Sequence, residues 1–201
     1  MVLAIKRANK IYTQAIDGLA KHDQHRLKKS KKGIVKLNNE VEGLRDNIFY
    51  FIKNLDDSSI GASNFYITAL SYLQDMTQSL EYITKAGYKH VNNNHKKLRF
   101  NQIKDLKETD GYIEELFEEI RAIFDGNDYA KLTSIILNKK VLMDKLDEKI
   151  EKQIERTRDD ESSPKNTALY FSLLLETKDL LVATMNLLEV YDKHANVQNV
   201  I

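Results

Sequence analysis

The chain has 201 residues, 42% of them hydrophobic, with one Pro, seven Gly, no Cys and a formal net charge of +1. That is enough apolar material for a sizeable core, and so few helix breakers beside abundant Leu, Ile, Lys, Glu and Asp point to long helices, not to a many-stranded sheet. Lack of Cys excludes disulfides, thiolate metal sites and Cys nucleophiles, the near-neutral charge gives no global pull toward nucleic acid, and no apolar run approaches the roughly 20 residues that span a bilayer.

Six helical stretches follow in chain order. The first, about Val2 to Lys21, puts Ile5, Ala8, Ile11/Tyr12, Ala15/Ile16 and Leu19 on one face. The second, about Gln24 to Leu55, carries Ile34, Leu37, Val41, Leu44, Ile48, Phe51 and Leu55 alternately three and four apart. This is a heptad seam on a helix roughly 50 Å long. The third, about Ser63 to Asn93, carries Tyr66, Leu70, Leu73, Thr77, Leu80, Ile83 and Val91, a stripe wide enough for two neighbours. The fourth, about Asn101 to Phe124, groups Ile103, Leu106, Ile113, Leu116/Phe117, Ile120 and Phe124. Asp125-Gly126-Asn127-Asp128 then offers a glycine to end one helix and an Asn or Asp to cap the next. The fifth, about Asp128 to Arg158, carries Leu132, Ile135/Ile136, Leu142/Met143, Leu146, Ile150 and Ile154. Its Glu148, Lys152 and Arg156 describe a solvated outer face of mixed sign. Ser163-Pro164 supplies a capping serine and a first-turn proline to the sixth, whose stripe is Ala168, Phe171, Leu174/Leu175, Leu181, Leu187/Leu188 and Tyr191.

The order repeats after about a hundred residues. Leu55-Asp56-Asp57-Ser58-Ser59, followed by Phe65-Tyr66, has a counterpart in Arg158-Asp159-Asp160-Glu161-Ser162-Ser163, followed by Tyr170-Phe171. Tyr88-Lys89-His90 is echoed by Tyr191-Asp192-Lys193-His194. One helical unit of this size buries its stripe poorly alone, whereas two stacked units share a core. The expected fold is therefore all-α: two repeated antiparallel three-helix bundles, residues 1–97 and 98–201.

Chemistry is sparse. There is no glycine-rich phosphate loop, nucleophile elbow or His-Glu-x-x-His. Asp75 on the third helix, and Glu176 with Asp179 on the sixth, occupy matching places in apolar runs. They read either as a polar or metal site repeated once per unit, or as stripe-edge carboxylates paired with a Lys or a helix cap. In His90-Val91-Asn92-Asn93-Asn94-His95 the two imidazoles are five apart and are not expected to share a helix face. The Asn run reads as a helix end. His22 and His25 flank the first turn and are expected to be exposed. The one basic run, Arg26-Leu27-Lys28-Lys29-Ser30-Lys31-Lys32, suits an anionic membrane surface better than nucleic acid, the bland alternative being a solvated helix face.

The helix order and three phrases resemble the PhoU family, and within it the PhoU-like domain that follows the membrane domain of bacterial sodium/phosphate cotransporters. The phrases are Tyr72-Leu73-Gln74-Asp75-Met76-Thr77-Gln78-Ser79-Leu80, His90-Val91-Asn92-Asn93-Asn94-His95-Lys96-Lys97-Leu98, and Leu175-Glu176-Thr177-Lys178-Asp179-Leu180-Leu181. The resemblance implies a non-catalytic regulatory domain of phosphate transport at the cytoplasmic membrane face, part of a larger membrane protein. Its partner would be the transporter's membrane domain or a phosphate-signalling protein. Arg26, Lys28, Lys29, Lys31 and Lys32 would meet a partner or an anionic membrane surface, nucleic acid is not expected, and self-association as a homodimer is left open. Family members hold a metal cluster with an acid followed four residues later by Asp. Here Asp75 and Glu176 keep the first acid, but Ser79 and Leu180 replace the second, so no cofactor is expected. The competing expectation is a metal-binding bundle or metal-dependent enzyme using Asp75, Glu176 and Asp179.

Overall fold

The computed structural model describes residues 1–55, 60–159 and 162–198, and among these it contains helices and no strand. Asp56-Asp57-Ser58-Ser59 and Asp160-Glu161, part of the expected repeat, lie outside the described residues. Helix α1 (Val2–Lys21) buries every residue of its expected stripe. It turns at His22, whose φ of 53° places it in the left-handed region, and Asp23 caps α2 by accepting from the Arg26 backbone N–H at 3.1 Å. Helix α2 (Gln24–Lys53) leads to α3 (Ile60–Asn92), and residues 93–99 lead on to α4 (Phe100–Gly126).

The fifth predicted helix is broken. A 3-10 turn at Tyr129–Lys131 precedes α5 (Leu132–Leu137), and Asn138 separates α5 from α6 (Lys139–Arg158). Asn127, with φ 54°, takes the left-handed position that ends α4, a role expected of Gly126, and Asp128 makes no side-chain cap. Leu132 and Ile135 are buried, while Leu137 and Val141 on either side of Asn138 are exposed. The break lets the chain seat α5 and α6 separately against α7 (Pro164–Gln198). Pro164 opens α7, and the Ser163 hydroxyl accepts from the Asn166 N–H, as expected.

Helices α1, α2 and α3 pack on one another, and α5 and α6 pack on α7 and touch α4. The two halves meet through α3 against α7, the most extensive helix contact, and through α1 against α4. One apolar cluster draws on each of α1 to α7, with Tyr12, Leu80, Ile83, Phe117, Tyr170 and Leu187 inside it. Burying such side chains contributes about 1.5–3 kcal/mol each and is the main force joining the halves. Tyr12 donates its hydroxyl proton to Thr177 Oγ1 at 3.0 Å, since Thr177 itself donates to the Leu173 carbonyl.

Two stripes depart from expectation. The heptad seam of α2 is buried only through Val41; Leu44 is 59% exposed, Ile48 half-buried and Phe51 exposed, its ring set edge-on against Tyr66 of α3. In α7 the outward residues are Ala168 and Leu175, while Leu169, Tyr170, Leu173 and Leu174 face the core. Because α7 is packed by α3, α5 and α6, its apolar surface wraps most of the helix and a single stripe does not describe it.

Candidate functional site: an acidic groove between the paired long helices

The packing of α3 on α7 brings the two sets of carboxylates together. Asp75, Gln78, Ser79 and Tyr82 from α3 face Glu176, Asp179, Val182, Ala183 and Asn186 from α7 across an open groove of about 340 Å³. The spacing explains it: 75, 79 and 82 share one helical face, as do 176, 179, 183 and 186. Asp75 and Asp179 are exposed and Glu176 is half-buried, so their setting is wetter than the flanking apolar residues suggested. Among the described residues none of the three carboxylates forms an ion pair or a helix cap, contrary to the pairing expected of stripe-edge acids. Partial burial, reinforced by the charge of Asp179, raises the Glu176 carboxyl above its ordinary value.

The donors do not fit a metal cluster. Ser79 and Leu180 stand where second acids would be needed; Leu180 is fully buried, and among the described residues no three His, Asp or Glu side chains converge closely enough to hold an ion. The groove is an acidic, solvated seam between the halves.

At the basic start of α2 the arrangement is different from the one expected. Arg26 is engaged with Asp23 at 3.3 Å and with Asp17 at 3.7 Å, and Lys31 sits 4.9 Å over the Tyr88 ring. Lys28, Lys29 and Lys32 are exposed, and so is Lys36 one turn further on. His22 is half-buried, not exposed, and His25 is exposed. His90 and His95 were expected to point apart, but their rings lie 5.2 Å from each other. Asn94, with φ 55°, reverses the chain after α3 and folds His95 back. His90 is buried and donates from Nε2 to the Lys96 carbonyl at 2.9 Å.

Burial holds the His90 imidazole below its ordinary value of 6.5, and the neighbouring His95 and His22 add to the effect. A histidine kept neutral in the fold must take up its proton on unfolding, so stability falls as pH drops through the unfolded value. Urea melts at pH 7 and pH 5 should show lower stability at pH 5, and His90→Gln should flatten the difference. An unchanged pH dependence in the variant would refute the assignment.

Sequence reasoning missed one site altogether. Arg156, read as part of a solvated face, turns inward, and its guanidinium donates to Asp105 Oδ2 at 2.7 Å, which also accepts from the Tyr170 hydroxyl at 3.0 Å. Beside it, buried Gln102 donates to Gln153 Oε1 and Ser162 Oγ, each at 3.1 Å. Gln102 stands four residues before Leu106 and Gln153 three after Ile150, and that helical spacing to predicted stripe residues was the available signal. Glu148 and Lys152, from the same sequence pattern, do form an exposed ion pair.

No helix among the described residues is long and apolar enough to cross a membrane. No protein-family model matches the sequence, and no curated protein matches it in sequence. The fold does have a solved counterpart: the phosphate transport system regulatory protein PhoU from Streptococcus pneumoniae, with a TM-score of 0.75 and 14% identity, over 94% of this chain and 88% of that one. The chain therefore has a PhoU-like helical-bundle fold, as the sequence reading expected, with the fifth helical stretch broken at Asn138.

Proposed function

We propose that this chain is a non-catalytic regulatory domain of phosphate transport, the PhoU-like domain of a sodium-dependent phosphate cotransporter, working at the cytoplasmic membrane face. The observation that carries this reading is the likeness of fold to a phosphate transport regulator along nearly the full length of both chains. The helix phrases around Asp75, His90 and Glu176 point to the cotransporter branch. In that setting the domain acts by contact, on the transporter's membrane portion or on a phosphate-signalling protein, because its interior is filled by apolar side chains. Cells lacking this chain should lose the response of phosphate uptake to external phosphate, and the intact chain should restore it. Uptake that responds normally without it would overturn the proposal.

The same reading places no catalytic centre and no tightly held metal in the acidic groove. Elemental analysis of the protein purified without chelators should return well under one iron, manganese or zinc per chain, with or without Asp75→Asn and Glu176→Gln. A stoichiometric metal that is lost in those variants would instead establish a metal-binding bundle.

A further inference from the structure

We propose that the outer face of α2 docks on an anionic lipid bilayer, with the helix lying along the headgroup plane. The inference takes its setting from the regulatory reading above but rests on separate observations. Leu27, Ser30, Ile34, Leu37 and Val41 bury the inner side of α2. Directly opposite, at helical spacing, stand His25, Lys28, Lys29, Lys32 and Lys36, all exposed. None of the four lysines forms an ion pair among the described residues, whereas Arg26 and Lys31 of the same basic run are already occupied by Asp17, Asp23 and Tyr88. Of the acids further along α2, Glu40 is bound by Arg7 and Asp46 lies 3.7 Å from Arg45, while exposed Glu42 lies beyond the lysines toward the far half of the helix. The net charge of +1 thus conceals a local field of one sign.

Two features favour a bilayer over an acidic protein. The lysines stand on a convex helix surface spanning roughly 12 Å, with no cleft to give directional pairing, and lysine is a flexible point charge suited to a diffuse layer of headgroups. Five turns beyond Lys32, roughly 27 Å along the same face, Tyr50 is 64% exposed. An aromatic of that kind gains at a membrane–water interface, where its ring is apolar and its hydroxyl wet. Charge at one end and an interfacial aromatic at the other define a surface that lies flat.

Sedimentation of the purified chain with vesicles of phosphatidylserine and phosphatidylcholine, against vesicles of phosphatidylcholine alone, tests it. Binding should require the anionic lipid and fall steeply as salt rises from about 0.05 M to 0.5 M, because exposed charges are screened. Each lysine should strengthen partitioning by roughly fivefold, so Lys28, Lys29, Lys32 and Lys36 changed together to Gln should weaken it by about a hundredfold or more. Changing the same four to Arg should preserve binding, and Tyr50→Ser should weaken it severalfold. Circular dichroism should show all three variants folded, since the replaced side chains are exposed. No binding of the parent at low salt, equal binding to neutral vesicles, or equal binding by the Gln variant would each overturn the proposal. Capture by polyglutamate without capture by vesicles would overturn it in favour of an acidic protein partner. If vesicle binding fails while phosphate uptake still depends on the chain, this proposal falls and the regulatory reading does not; vesicle binding without an uptake defect gives the reverse.

Discussion

Shortening Leu80 to Ala should lower stability by about 2–5 kcal/mol, the range for a large apolar side chain removed from a packed core with incomplete collapse around the void. Leu80 is fully buried on α3, the helix that packs both on its own bundle and on α7. The loss would be a large share of the roughly 5–15 kcal/mol that holds an ordinary domain together. Urea unfolding followed by circular dichroism measures it. Because the halves share one apolar cluster, the transition should stay single and move as a whole to lower urea. A loss below about 1 kcal/mol, or two separated transitions, would show that α3 does not tie the halves into one cooperative unit.

How far the sequence foretold this arrangement depends on where each helix's neighbours sit. The stripe of α1 was legible residue by residue, because its contacts with α2, α3 and α4 fall on one broad, mostly apolar side, on which Asn9 is also buried. In α2 the heptad pattern continues past Val41 although burial does not. Periodicity records what a helix could bury; Leu44 and Phe51 belong to the seam and are exposed all the same. The break at Asn138 was invisible for a related reason: apolar spacing runs across it from Ile135/Ile136 to Leu142, and only the packing against α7 separates the two segments.

The candidate sites show the same division. That Asp75 and Glu176 occupy equivalent helices could be read from the repeat; that the two helices face each other across one groove is a tertiary fact. The basic run was legible as composition, but composition could not reveal that Arg26 and Lys31 are engaged or that Lys36 completes the free stripe. His90 and His95 were set apart by helical geometry that no longer applied once Asn94 turned the chain.

Removing the Arg156 guanidinium should be the second large perturbation. Arg156 is 17% and Asp105 13% exposed, so their ion pair is largely withdrawn from water, unlike the Glu148–Lys152 pair on the same helix, at 61% and 50%. Arg156→Ala leaves the Asp105 carboxylate in place with the Tyr170 hydroxyl as its remaining partner. An orphaned buried charge costs about 3–5 kcal/mol; the residual solvent contact here argues for about 2–4 kcal/mol. Lys152→Ala, by contrast, should leave the urea midpoint essentially where it is, because that pair is exposed and screened by water. The pair links α6 to α4, and Tyr170 brings in α7, so three helices lose a shared tie and the single transition should move to lower urea. A double-mutant cycle between Arg156→Ala and Asp105→Asn separates lost attraction from stranded charge, because neutralising Asp105 should recover part of what Arg156→Ala costs. A coupling near zero in that cycle would mean that the pair is solvated in the same way as its exposed neighbour, and that α4, α6 and α7 are held together by apolar contacts and not by this ion pair.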